Sequence, residues 1–132
     1  MKSQLPFTIA VVDDNALMRE AMHFRLTQLG YQVVLQAEHG KAFINQLEYT
    51  PSPDLVVLDI NMPVMDGFET AMHLRRHFPE IKILFFSMET GRACFQKINE
   101  IGADGFLAKD APSSELPKIL SQIMQQKHKQ VA

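Results

Sequence analysis

Cysteine is nearly absent from the chain. Cys94 stands alone among 132 residues, so no internal disulfide can form and a reducing compartment is the simple expectation. Long apolar runs are missing too. None approaches the roughly 20 residues that a membrane-spanning helix needs, and Met1-Lys2-Ser3-Gln4-Leu5-Pro6 lacks the apolar core of a secretory leader. A cytoplasmic protein with no membrane partner is expected. Nor is there an excess of charge of one sign. Thirteen Lys and Arg against fifteen Asp and Glu leave a net charge of −2, which argues against nucleic acid bound by this chain itself. Internal repeats and low-complexity segments are absent. What is present is one domain's length of sequence, 46% hydrophobic, enough to build a packed core.

Two periods alternate along that length. Short, mostly continuous apolar runs at about Phe7–Val12, Gln32–Leu35, Leu55–Leu58, Ile81–Phe86 and Gly105–Leu107 read as parallel strands covered on both faces. Between them lie helical patterns. Leu17, Ala21 and Phe24 share one face of the first, with Gly30 as a stop; Phe43 and Leu47 mark the second. Ala71, Leu74 and Phe78 mark the third, ended by Pro79, and Cys94, Ile98 and Ile101 the fourth, stopped by Gly102. Leu116, Ile119, Leu120 and Ile123 mark the fifth, with Ser113 or Ser114 as cap and Pro117 in the tolerant first turn. Strict β-α alternation predicts an α/β fold, a single doubly wound (βα)5 domain of the flavodoxin-like type. Its parallel sheet takes the order 2-1-3-4-5, with the switch point between strands one and three. The domain is expected to span residues 1–126, with 127–132 a polar C-terminal tail or linker stub.

The chemistry collects at the carboxyl ends of those strands. The first ends in Asp13-Asp14 and the third in Asp59, so the topology gathers three carboxylates in one crevice. Strand four ends at Ser87 and strand five leads to Lys109. Singly, each has an ordinary explanation: Asp13 or Asp14 as a helix cap, Asp59 or Ser87 as a turn residue, Lys109 as a solvated lysine, Phe106 as core. Together they make a set. A hard dication suits several carboxylate oxygens, and an amine and a hydroxyl on the same rim suit phosphoryl oxygens. A carboxylate can itself serve as a covalent nucleophile toward phosphorus. Asp104 reads as an ordinary surface carboxylate, Met18, Met22 and Met72 as adaptable core packing, and His73 and His77, flanking Arg75-Arg76 on a solvent face, as structural.

The motifs Val11-Val12-Asp13-Asp14-Asn15, Leu58-Asp59-Ile60-Asn61-Met62-Pro63-Val64-Met65-Asp66-Gly67, Phe86-Ser87 and Gly105-Phe106-Leu107-Ala108-Lys109 resemble, in this order and over nearly the whole chain, the receiver domain of two-component response regulators. The resemblance implies that Asp59 accepts a phosphoryl group from a sensor histidine kinase or a histidine phosphotransfer protein. It implies Mg²⁺, with Mn²⁺ as a substitute, held by Asp14, Asp59 and the Asn61 carbonyl, with Asp13 acting mainly through water. Lys109 would contact the phosphoryl group, and Ser87 would move toward it with Phe106 as the coupled switch. The readout would be the surface from the fourth helix to the fifth, about Gly91–Ile123. Asn61, Met88 and Glu89 would flank the path of the hydrolytic water and set access to it. Such a chain is a signalling phosphoacceptor that catalyses only its own phosphorylation and dephosphorylation.

Asp110 stands where many members have proline after the lysine, and Lys109-Asp110-Ala111 with Phe86-Ser87-Met88 is similar to NarL/FixJ-type receivers. Those usually carry a DNA-binding output domain, and a receiver cut from such a longer regulator is expected over a stand-alone one. A phosphorylation-linked homodimer is a further implication. Three rivals differ. A haloacid-dehalogenase-type phosphatase needs an acid where Asn61 stands. A flavodoxin would set its cofactor phosphate against Asp13-Asp14. A degenerate receiver, serving only as an interaction module, is the alternative that small-molecule phosphodonor labelling separates.

Overall fold

Runs of β-branched and aromatic residues alternate with longer amphipathic segments, and the computed structural model, which describes residues 7–126, gives each run one element. The strands are β1 (Thr8–Val12), β2 (Gln32–Ala37), β3 (Leu55–Leu58), β4 (Lys82–Ser87) and β5 (Gly105–Ala108). The helices are α1 (Ala16–Gln28), α2 (Gly40–Leu47), α3 (Gly67–His77), α4 (Arg92–Ile101) and α5 (Glu115–Gln125). All pairings are parallel, in the order β2-β1-β3-β4-β5, as the alternation requires. The expected tail, 127–132, lies outside the described residues.

Alternation along each central strand builds two cores. Ala10, Val12, Val56, Leu58, Ile83 and Phe85 face one side, under α2, α3 and α4. Ile9, Val11, Leu55, Val57, Leu84 and Phe86 face the other, under α1 and α5. The continuous apolar reading holds for β1, β3 and β4 but not for β2. The edge strand β2 alternates between exposed and half-buried residues, and across a register shift opposite Ile9 and Ala10 its Val33 and Leu35 pack against opposite cores.

The expected face of α1 is also corrected. Leu17 and Phe24 are 79% and 62% exposed, and the residues turned to the sheet are Met22 and Leu26, with Met18 half-buried. Met18, Met22 and Leu26 form a second stripe at the same four-residue spacing, and burial of Leu26 alone is worth about 2 kcal/mol. Met72 is exposed as well, so of the three methionines expected in the core only Met22 is fully buried. Gly102 ends α4 in the left-handed region at φ 78°, where its amide bonds the Ile98 and Asn99 carbonyls. Ser114 stands at the cap position of α5 but makes no side-chain cap bond.

Candidate functional site

Strand register carries the candidate residues to one rim. Val12 pairs with Leu58, Leu58 with Phe85, and Ser87 with Ala108, so Asp13 and Asp59 emerge just past β1 and β3 while β4 runs on to Ser87 and β5 leads to Lys109 at the same carboxyl edge of the sheet. The Asp59 amide donates to the Val12 carbonyl at 3.0 Å, and the Asp13 amide to the Ala37 carbonyl at 3.1 Å. Capping of α1 does not consume either of the first two acids. Asn15 is the N-cap, its side chain accepting from the Met18 amide, which leaves Asp14 exposed at the rim.

Among the described residues, Asp13, Asp14 and Asp59 form a cluster in which each offers a carboxylate oxygen within 4.8 Å of the others. Lys109 crosses from the end of β5 and donates from Nζ to Asp13 Oδ2 at 2.9 Å and to Asp59 Oδ2 at 3.3 Å. Two of the three acids therefore share one amine, and Asp14 adds a third negative charge beside them. Burial first, then the charge of Asp13, pushes the Asp59 carboxyl up to about 6, against the pull of Lys109 and the Ile60 amide. Burial would lower the Lys109 pKa, but the hydrogen bond to Asp13 and the charges of both aspartates outweigh it and raise the value. The net negative charge and the all-oxygen donor set fit a hard dication such as Mg²⁺ or Mn²⁺. The residues able to hold it are Asp14, Asp59 and Asp13.

A family model described as the response regulator receiver domain matches residues 9–121. The chain belongs to that family. It is 34% identical to the nitrate/nitrite response regulator NarL of Escherichia coli K12 over 92% of this chain and 56% of NarL. It is 32% identical to the chemotaxis protein CheY1 of Helicobacter pylori over 76% of this chain and 83% of CheY1. The chain thus spans about half the length of the NarL-type relatives, since DegU of Brevibacillus brevis is likewise matched over 50% of its length. Among solved structures, the receiver domain of a NarL regulator from Mycobacterium tuberculosis superposes with a TM-score of 0.82 at 29% identity, covering 92% of this chain and 98% of that one. The chain is a receiver domain close to the NarL/FixJ type.

The remaining candidates of the receiver occupy the same rim and its flank. Ser87 is buried, and its Oγ accepts from the Glu89 amide at 3.0 Å. Asn61, Met88 and Glu89 are exposed. Phe106 is half-buried on the core and meets Phe95 of α4 edge-on, ring centres 5.0 Å apart.

Two further residues support the site. A Cβ on Gly67 would lie 2.2 Å from the Asp59 carbonyl oxygen, so only glycine lets α3 start directly beneath the acid-bearing loop. The Gly67 amide closes this contact by donating to the Ile60 carbonyl at 2.7 Å. Arg19 donates to the Asp13 carbonyl at 2.6 Å, tying α1 to the β1 end. The Asp66-Gly67 pair is a visible turn signal, but the close approach is a tertiary fact; Arg19 gives no signal at all.

Proposed function

We propose that this domain accepts a phosphoryl group on Asp59 in a Mg²⁺-assisted transfer and signals through the α4-β5-α5 surface. The observation that carries this reading is the convergence of three carboxylates and one ammonium at the strand-end rim. An Asp59 carboxylate oxygen attacks phosphorus, and the bond from phosphorus to the donor's imidazole nitrogen breaks. The imidazole leaves with the electron pair and takes a proton from solvent. Lys109 Nζ moves from its two aspartate partners to the developing phosphoryl oxygens, and the Ser87 hydroxyl donates to another. Asp14, Asp59 and the Asn61 carbonyl, with Asp13 acting mainly through water, would hold the cation, which would supply neutralisation of charge on the acids and the phosphoryl group.

The departure of Ser87 Oγ from the Glu89 amide frees the loop that leads to α4, and Phe106 turns into the space vacated. Phe95, edge-on to Phe106, extends that change to α4. The donor would be a sensor kinase or phosphotransfer protein. Leu17 and Phe24, exposed on the helix that starts beside Asp13-Asp14, offer it an apolar landing face. Residues 1–126 would act as the receiver unit, and a DNA-binding output in a longer protein is the reading supported by the transcriptional regulators it matches.

Labelling tests the assignment. With Mg²⁺ and a small acyl-phosphate donor, intact mass should rise by one phosphoryl group, and Asp59→Asn should abolish the gain. No labelling of the wild-type chain would favour the interaction-module alternative, and undiminished labelling of Asp59→Asn would move the nucleophile elsewhere.

A further inference from the structure

We infer that His73 and His77, on the outer face of α3, form a binding site for a divalent transition-metal ion separate from the acid cluster. The two residues are one helical turn apart, and their rings lie against each other with centres 4.4 Å apart and planes tilted by 40°. With nitrogen–metal distances of about 2.1 Å, two imidazoles sharing an ion in adjacent positions have ring centres about 4.5–5 Å apart. The ring separation matches what a shared ion requires, within the freedom of two side chains one helical turn apart. Other histidines are differently engaged: His23 Nδ1 contacts the Gln36 amide and His39 Nδ1 accepts from the Ala42 N–H.

The surroundings define the class of ion. The pair lines a cleft of about 260 Å³ together with Met65, Glu69, Met72 and Arg76. Imidazole nitrogens suit Zn²⁺, Ni²⁺ or Cu²⁺ rather than Mg²⁺. Glu69, a turn before His73, adds negative charge; one of its oxygens already accepts from the Asp66 amide. Of the neighbouring arginines, Arg75 is directed away, to the Ile81 and Gly102 carbonyls and to Asp104, which leaves Arg76 and Lys41 as the opposing charges.

Partial burial, then the positive charge of His77, Arg76 and Lys41, lowers the His73 pKa against a smaller rise from Glu48. The ring is thus held in its neutral, ligating form, at some cost in affinity for a cation. Two protein nitrogens, with water completing the shell, make an open and exchangeable site. Bound metal would staple the last two turns of α3. None of this depends on the phosphoryl-transfer reading.

The test uses the untagged full chain in saturating Mg²⁺, with Ni²⁺ as the probe. Calorimetry should show one Ni²⁺ site that loses at least tenfold in affinity in His73→Gln and in His77→Gln, and persists in Asp59→Asn and His39→Gln. Ni²⁺ should raise the thermal midpoint of the wild type and not of either α3 variant. Equal Ni²⁺ binding by wild type and both α3 variants would overturn the assignment, as would loss of the site in Asp59→Asn alone.

Discussion

The sheet has two rims, and aspartates stand at both. Where strands begin, Asp54 and Asp104 are bound to backbone. Asp54 Oδ2 accepts from the Thr8 amide at 2.8 Å and from its hydroxyl at 3.1 Å. Asp104 Oδ2 accepts from the Ile83 amide at 2.8 Å and pairs with Arg75 at 3.0 Å, while Arg75 also clamps the Ile81 and Gly102 carbonyls. Where strands end, Asp13, Asp14 and Asp59 crowd together, and Asp13 and Asp59 share Lys109. The starting rim pairs each acid with donors that the fold fixes; the ending rim holds more negative charge than its own groups offset. The same side chain fastens backbone at one edge and joins an under-neutralised cluster at the other, and the difference is the number of carboxylates gathered around one cation.

Breaking the ending rim should have the largest effect. Lys109→Ala removes the amine that two acids share and the donor expected on the phosphoryl oxygens. Initial labelling rates with a small acyl-phosphate donor should fall on the order of 100-fold. A rate within twofold of wild type would place Lys109 outside the reaction.

The next largest effect is on stability and has a defined pH course. The Asp59 carboxyl lies at about 6 in the fold against the 3.8 of an ordinary aspartate, so folding favours its protonated form. That contribution is complete below about pH 4 and is lost as pH rises through about 6. Asn is neutral throughout and escapes the loss. Without divalent ions, Asp59→Asn should therefore exceed the wild type by about 2 kcal/mol at about pH 8, the margin shrinking to nothing near pH 4. Urea midpoints measured across that range check it; a margin independent of pH would refute the cause.

The starting rim should answer in the opposite way. Asp104→Asn weakens the Arg75 clamp and the tie to Ile83, costing about 1.5 kcal/mol of stability, while labelling per folded molecule stays at the wild-type rate. An equal loss of labelling would mean that the two rims are coupled through β4 and β5. In the sequence Asp104 reads as an ordinary surface acid. Its partner Arg75 is 29 residues away, on another element, and nothing in either residue's neighbourhood announces the pair.

The same contrast separates what is legible in the sequence from what is not. The ending rim is legible because it follows from topology: β-α alternation fixes the strand order, the order fixes the switch point, and Asp13, Asp14 and Asp59 each stand at the end of an apolar run. Contacts that depend on one side chain reaching another, such as Arg19 to the Asp13 carbonyl or Arg75 to Asp104, follow from no local pattern. Helix α1 misleads for another reason. It carries two apolar stripes a residue apart, Leu17-Ala21 with Phe24 and Met18-Met22-Leu26, and periodicity cannot choose between equal faces. The stripe left outside is the one proposed above as a landing face for the donor.

The smallest expected effect concerns access to the rim. Met88 follows Ser87 directly and is 64% exposed, so its thioether chain is held by little packing. Beside it, Glu89 has its amide tied to Ser87 Oγ, and Asn61 is exposed two residues beyond Asp59. Polar groups at Asn61 and Glu89 can orient an attacking water, which favours hydrolysis of the phosphorylated form. A long side chain at Met88 would narrow the approach for water and donor alike. Steric access comes first, because an oriented water contributes nothing if it cannot reach the line of attack. A mobile, solvated chain obstructs only part of the time, which keeps the effect modest. Met88→Ala should speed both small-donor phosphorylation and self-dephosphorylation severalfold, about 1 kcal/mol of barrier, and Asn61→Ala should change either rate less. Time courses in which Met88→Ala is neutral or slower in both directions would remove the gate and leave the polar pair Asn61 and Glu89 in control of the lifetime.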